Sequence, residues 1–426
     1  MPRITVKASG ETATLDYQAN TFIHPGVVYS KPQLNFVAGK ISAGSAPWTT
    51  ELATMKGRKA GSGANNGKAY CDLTWTANPR SEVGRGSSGS PDQGGSDLMM
   101  DMTAALVDAL LWAYTGDRAR ASKCAEILNA WGAVFTKILF DTTTWSDGKL
   151  LSGWVGSLAG RAVELLRYTG YVPRSGEVAP NWTNIDRILR DVILPLSTVW
   201  HTGSGGNWIA SFVDSTMQIG VALSDKATFD LACLRWRRVV PSLFYLKSDV
   251  NPYPNLQGLP IVPPWTQWDK PTTTAASIKS AWGNPTSWPN GLEFEQFRDF
   301  HHTSMSFAAV ANAAETAWHQ GVKLWDEEQT RIVTAVELAT GFIYDCWVNG
   351  NNPPAGWPFA GTATGYATAT QRATWEIVFN HYNGRKKIPM PNCQKVLEQY
   401  TRPSTWNIDL HNVCDQLTHQ GTFAVS

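Results

Sequence analysis

Leu98 to Asp117 reads LMMDMTAALVDALLWAYTGD, and residues 118–139 continue as RARASKCAEILNAWGAVFTKIL. In the first stretch apolar residues recur three and four apart, the period of one helix face, and Gly116 marks its stop. The second stretch reads as its partner helix. The same pattern returns downstream as LLSGWVGSLAGRAVELLRYTG, NIDRILRDVILPLSTVW, NWIASFVDSTMQIGVAL and KATFDLACLRWRRVVPSLFYL, each closing near Gly, Pro or a polar turn. A loop-rich Pro/Trp segment covers Ser248 to Asn290. Helices are predicted again over Glu293–His319, Asp326–Val348, Gln371–Tyr382 and Cys393–Tyr400.

No strand-alternating run of useful length stands out. Helical hairpins recur about every 50 residues, the mark of an α/α repeat architecture. An open solenoid and a closed toroid both satisfy that pattern. Long, aromatic-bearing loops favour the toroid, whose inner helix ends converge on one cleft. The expected fold is therefore all-α, an (α/α) toroid of roughly six or seven hairpins. It would occupy residues 21–426 as a single domain with long loops, after an N-terminal extension, residues 1–20.

Composition narrows the function. The 426 residues hold 36 Lys+Arg against 35 Asp+Glu, a formal charge of +1, which argues against a nucleic-acid scaffold. Twenty Trp residues exclude wholesale disorder. No apolar run approaches the roughly 18 residues of a membrane span, so neither nucleic acid nor membrane is an expected partner. None of the six cysteines forms a C-x-x-C pair, which leaves no zinc motif. Cys393 with Cys414 could staple the C-terminal tail, while three others fall in helical patterns and read as buried thiols. Asn181-Trp182-Thr183 fits a glycosylation sequon. Met1 to Asp16 is polar, with no apolar signal core. The expectation is a monomer that is secreted or periplasmic after removal of a signal, or phage-associated.

The densest chemical cluster is Glu293-Phe-Glu295-Gln-Phe-Arg298-Asp299-Phe-His301-His302. On a continuous helix Glu295, Arg298 and His302 share one face, with Glu293 and Asp299 pointing elsewhere. A carboxylate, a guanidinium and an imidazole in one stripe suit proton transfer and anion binding; an ordinary surface ion pair fits the spacing equally well. In His201-Thr-Gly-Ser-Gly-Gly-Asn207-Trp208, a glycine-rich turn places Asn207 at or near a helix N-cap, and the Gly-Lys-Ser/Thr of a phosphate loop is missing. The third cluster runs from Arg372 through Trp375, Glu376, Asn380 and His381 to Tyr382. Trp375, Phe379 and Tyr382 form a stripe more typical of core, although His381 and Tyr382, near the helix end, could project into a cleft. The loop Lys56–Asp97, punctuated by Tyr70, Trp75, Arg80 and Arg85, is long enough to expect a functional role. No metal-binding loop and no cofactor motif appears.

Several of these motifs look familiar. Thr21-Phe-Ile-His24-Pro25-Gly26-Val-Val-Tyr29 resembles the opening motif of the alginate lyase-like polysaccharide lyases. Further similarities follow in collinear order: Trp112-Ala-Tyr-Thr-Gly-Asp117, Ile127-Leu-Asn-Ala-Trp131, Gly206-Asn207-Trp208, Glu295-x-x-Arg298-Asp299-x-x-His302, Glu315-Thr-Ala-Trp318-His-Gln-Gly321 and Asn380-His381-Tyr382. Together they run from His24 to about Pro403. The resemblance implies an α/α toroid that cleaves an acidic, uronate-containing polysaccharide of alginate or glucuronan type by β-elimination, without a cofactor. It implies Asn207, Arg298 and Glu295 around the uronate carboxylate, His302 as the base, and a tyrosine sharing the proton transfers. Tyr366 is the first choice for that tyrosine, Tyr382 the second, with Tyr344 also a candidate. Trp208, His301, His381, Tyr382, Arg80, Arg85 and Arg372 are the expected substrate-binding residues. His301 and His319 depart from the small residue and the Asn common at those places. Lys56-Gly-Arg58-Lys59 and Arg385-Lys-Lys387 are further basic clusters, and Trp265, Trp268 and Trp357 are loop tryptophans able to stack on sugars. Two other classes stay open at this level: a glycoside hydrolase on the same kind of toroid, using Glu295 or Asp299, and a catalytically inactive carbohydrate-binding protein.

Overall fold

The structure is a computed structural model. It describes residues 3–8, 11–16, 21–198, 205–251, 253–261, 274–349, 351, 375–402 and 410–425. Chain order gives helices α1 (Lys31–Ser42), α2 (Trp48–Gly57), α3 (Gly95–Thr115), α4 (Arg118–Val134) and α5 (Gly148–Tyr168). Next come α6 (Trp182–Arg187), α7 (Leu194–Ser197), α8 (Asn207–Ala222), α9 (Lys226–Leu243) and α10 (Ala275–Ala281). The rest are α11 (Phe300–His319), α12 (Leu324–Glu327), α13 (Gln329–Phe342), α14 (Trp375–Phe379), α15 (Pro391–Val396) and α16 (Leu410–His419).

The helices form the expected all-α toroid. Its inner wall runs α3, α5, α8, α11, α14 and α16, and α16 closes on α1, which returns to α3. Helices α4 and α9 lie outside that wall, packed on α3 and α8, and α13 packs on α15. The tightest inner contact, α5 on α8, follows from composition. Gly153, Gly156 and Gly160 form a stripe on α5, and a Cβ at Gly156 would collide with the Ser215 hydroxyl of α8. Such a stripe lets two backbones approach more closely than Leu or Val would allow.

A polar clasp holds the closing contact. Tyr29 donates its hydroxyl hydrogen to Asp415 Oδ1 at 2.7 Å, and Arg161 Nη1 reaches both atoms at 3.1 Å. Because all three side chains are buried, removing one would leave a buried charge without its partner, which costs far more than a surface pair.

The structure corrects several expectations. Strands do occur: β1 (Arg3–Ala8) and β2 (Glu11–Asp16) pair antiparallel within the N-terminal extension. A small sheet, in the order β4-β3-β5, joins β3 (Glu82–Arg85), β4 (Asp92–Gln93) and β5 (Lys137–Ile138). All six cysteines are free thiols, so Cys393 and Cys414 are not bridged. Helix α3 is long and apolar enough by composition to cross a membrane, yet it is mostly buried within the ring. The helix predicted from Glu293 starts only at Phe300, since Asp299 is its N-cap and the preceding residues form turns.

Candidate active site

Three consecutive inner helices, α5, α8 and α11, begin at the same end of the ring. Their starts surround a cavity of about 970 Å³. Arg85, Ser87 and Ser88 line it from β3 and the loop after it, Asp147, Leu150 and Trp154 from the start of α5, and Gly205 and Trp208 from the start of α8. Phe294, Glu295, Arg298, His301, His302 and Met305 line it from the turn before α11 and that helix's first turns. Each helix N-terminus carries a partial positive charge, so the shared orientation makes this end attractive to anions whatever the net charge.

Glu295 organises the floor. Its Oε2 accepts hydrogen bonds from the Asn207 backbone N–H at 2.7 Å and from Asn207 Nδ2 at 2.8 Å. Its Oε1 accepts from Arg298 Nη1 at 2.9 Å. The seat depends on Gly206, at φ 53°, where a Cβ would collide with this carboxylate. Arg298 is held on its inner side by Glu295 and by Asp299 at 3.5 Å, and its side chain is 56% exposed. A guanidinium fixed on one edge and open on the other is suited to a carboxylate ligand.

Asp299 does two jobs in one turn. Oδ1 accepts the His302 backbone N–H at 2.8 Å, capping α11, and Oδ2 lies 2.6 Å from His302 Nδ1. Burial works to raise the Asp299 carboxyl, but the hydrogen bonds from His302 and the nearby Arg298 charge outweigh it and hold the group below its usual value. An ionised Asp299 accepts, so Nδ1 of His302 donates and Nε2 remains the atom able to take a proton. Beneath them Glu293 is completely buried; burial first and the Glu295 charge second push its carboxyl well up, and Oε2 accepts the Glu295 N–H at 2.7 Å.

The turn before Asp299 changes the reading of the motif without scattering it. Glu295, Arg298 and His302 do meet at the cleft, although they share no continuous helix, and Asp299 points inward to His302 instead of elsewhere. Asn207 heads α8 as expected, but it is fully buried and its amide is committed to Glu295, so it stands behind the cleft wall. Trp208, His301 and Arg85 line the cavity, with the Arg85 guanidinium 5.4 Å from the Trp154 ring and 4.0 Å from Asp147. Arg80 lies outside the cavity wall and pairs with Asp97 at 3.5 Å. Tyr366, Arg372, His201, Trp265, Trp268 and Trp357 lie outside the described residues.

His381 and Tyr382 require a correction as substrate-binding residues. Both are fully buried. His381 stacks on Trp325 at 5.0 Å and packs edge-on to Trp318 at 4.8 Å, and burial pushes its imidazole down to about 3. Tyr382 donates its hydroxyl hydrogen to the Trp325 carbonyl at 2.8 Å. Apolar stacking on the Trp pair holds both in the core. Tyr344 is half-buried under the ammonium of Lys395, 4.8 Å from its ring. Sequence reasoning passed over Trp154 and Asp147; Trp154 carried a signal, an aromatic at the head of a helix whose remaining face is glycine and leucine.

No family model matches the chain, and no curated protein matches it either. Solved structures do. A tyrosine-to-phenylalanine variant of alginate lyase A1-III complexed with a tetrasaccharide superposes with a TM-score of 0.55 at 12% identity, covering 95% of this chain and 99% of that one. A histidine-to-alanine variant, also complexed with a tetrasaccharide, gives 0.56 at 13% identity, covering 94% and 97%. An alginate lyase from Bacteroides ovatus gives 0.52 at 10% identity, covering 93% and 99%. The chain thus has the alginate lyase-like α/α toroid fold over nearly its whole length.

Proposed function

We propose that this protein is a polysaccharide lyase that cleaves a uronic-acid-containing polymer, of alginate or glucuronan type, by β-elimination. The observation that carries the reading is the Asp299–His302 pair beside the exposed Arg298, at a cavity where three helix N-termini meet.

In this reading the uronate carboxylate sits against Arg298 and the helix starts, which makes the C5 hydrogen acidic and stabilises the enolate-like intermediate. His302 Nε2 takes the C5 proton. The C4–O4 bond then breaks, a C4=C5 double bond forms, and an acid protonates the leaving oxygen. Tyr366 is assigned that acid role. Glu295 and Asn207 keep Arg298 oriented, while Trp208 and Trp154 offer faces for sugar rings. A hydrolase reading is poorly served here. Glu295 accepts three hydrogen bonds and Asp299 is held ionised, so neither is a ready proton donor.

The test is ultraviolet absorbance of the conjugated unsaturated uronate during incubation with alginate, polyglucuronate, hyaluronan and heparan-type polymers. Absorbance rises with at least one of them, and His302→Ala lowers the rate by about 10²- to 10⁴-fold with helical circular dichroism intact. New reducing ends without unsaturation would overturn the lyase assignment in favour of hydrolysis.

A further inference from the structure

The corner between α8 and α9 holds a second constellation that the cleft does not use. Ser224 Oγ lies 3.1 Å from His24 Nε2, and His24 Nδ1 lies 2.8 Å from Glu164 Oε1. Glu164 is buried and the same oxygen accepts the Gly26 N–H at 3.0 Å, so the carboxylate is fixed. The His24 ring is stacked on Tyr168, with centroids 3.9 Å apart and planes 10° from parallel. Carboxylate, imidazole and hydroxyl therefore stand in a line, with the exposed serine last.

We propose that Ser224, His24 and Glu164 form a serine-nucleophile triad that hydrolyses acyl esters at the end of the ring opposite the cleft. Glu164 accepts the Nδ1 hydrogen and so leaves Nε2 as the base facing the hydroxyl, the arrangement that nucleophilic acyl transfer needs. The backbone supports the assignment. Ser224 has φ 52°, the left-handed helix-ending position, with its N–H on Val221 O and the Asp225 N–H on Gly220 O. Glycine is the usual residue there, and a side chain costs about 1 kcal/mol. The serine is kept at a place where local structure prefers none, and its hydroxyl meets the imidazole.

The chemistry balances with water alone. The Ser224 hydroxyl gives its proton to His24 Nε2 as Oγ bonds to the ester carbonyl carbon. The ester C–O bond breaks and His24 returns the proton to the departing alcohol. Water then repeats the sequence, releasing the carboxylic acid and restoring Ser224. The setting is open, with Ile23 59% exposed beside His24, which fits a small acyl group carried on a larger molecule. Helix α8 has 16 residues and so spans about 24 Å between its start at the cleft and this corner, which makes the two sites separable.

The experiment treats the whole protein with a fluorophosphonate probe and with p-nitrophenyl acetate. Peptide mass spectrometry is expected to place the phosphonyl adduct on Ser224, and esterase turnover to fall by about 10²-fold in Ser224→Gly and in His24→Ala. Ser224→Gly relieves the left-handed strain, so its loss of labelling cannot come from unfolding. Glu164→Gln should slow labelling while leaving the adduct at the same residue. An unlabelled Ser224, or labelling unchanged by His24→Ala in a protein with native circular dichroism, would overturn the proposal and leave Ser224 as a helix cap.

Discussion

Helix α11 carries a carboxylate beside an imidazole at each of its ends. At the start, the side chains of Asp299 and His302 are 31% and 27% exposed and face the cleft. At the end, those of Glu315 and His319 are 0% and 4% exposed. Glu315 there receives both Arg385 nitrogens, at 2.6 and 2.9 Å, and the Trp325 indole N–H at 3.1 Å. Burial opposes ionisation of Glu315, yet Arg385 and His319 win and hold its carboxyl well below the usual range. The same residue types do different work at the two ends. Where the pair faces the open cleft, it is free for the proposed proton transfer; where it is buried, it ties α11 to the segment carrying Arg385.

Three experiments sharpen that contrast. The largest stability effect is expected from Arg385→Ala, which leaves the Glu315 charge buried without its main partner. Unfolding in urea should show a loss of about 3–5 kcal/mol. A loss below about 1 kcal/mol would mean that the inner pair is no more structural than a surface bridge. At the other end, Asp299→Asn keeps an N-cap of equal quality, so the midpoint of unfolding should stay put. Turnover should fall by about 10²-fold, with KM little changed, because the amide no longer fixes the His302 tautomer. Equal effects on stability and turnover would erase the distinction between the two ends.

The smallest effect is a slope with pH. His381 is held near 3 in the folded chain against an ordinary 6.5, so between those values the unfolded chain binds a proton that the folded chain does not. Stability contributed by its neutral form is complete above pH 6.5 and declines as pH falls, by at most about 1.4 kcal/mol per unit. Denaturant midpoints of His381→Phe, compared with the parent at pH 6.5 and 5, should show a shallower decline. An unchanged slope would mean that His381 titrates normally.

Much of the ring was legible because its helices are long and locally consistent. Residues 98–117 carry a 3.6-residue period and stop at Gly116, which adopts φ 68° as a helix-ending glycine does. The break at Asp299 was harder to read, since the residues before it have the right spacing for helix and only the capping preference of Asp argues otherwise. The hairpin of Arg3–Ala8 and Glu11–Asp16 escaped notice because its alternation is short and its composition polar. His381 and Tyr382 were drawn toward the cleft by chemistry alone. Their place was decided by Trp318 and Trp325, which only the tertiary structure brings to them. The shared orientation of the helix starts is likewise a property of closure, invisible in any single segment.

The clasp of Tyr29 and Asp415 joins residues 386 positions apart. Until residue 415 has been synthesised, α1 has no neighbour on one flank and the ring stays open along that seam. Closing it brings together two remote ends of the chain, a step paid for in loop-closure entropy before its contacts can form. The earlier hairpins can pair as they emerge, but completion of the ring must wait for α16. A nascent chain of this protein therefore exposes one inner edge for most of its synthesis, the interval in which a chaperone would be most useful.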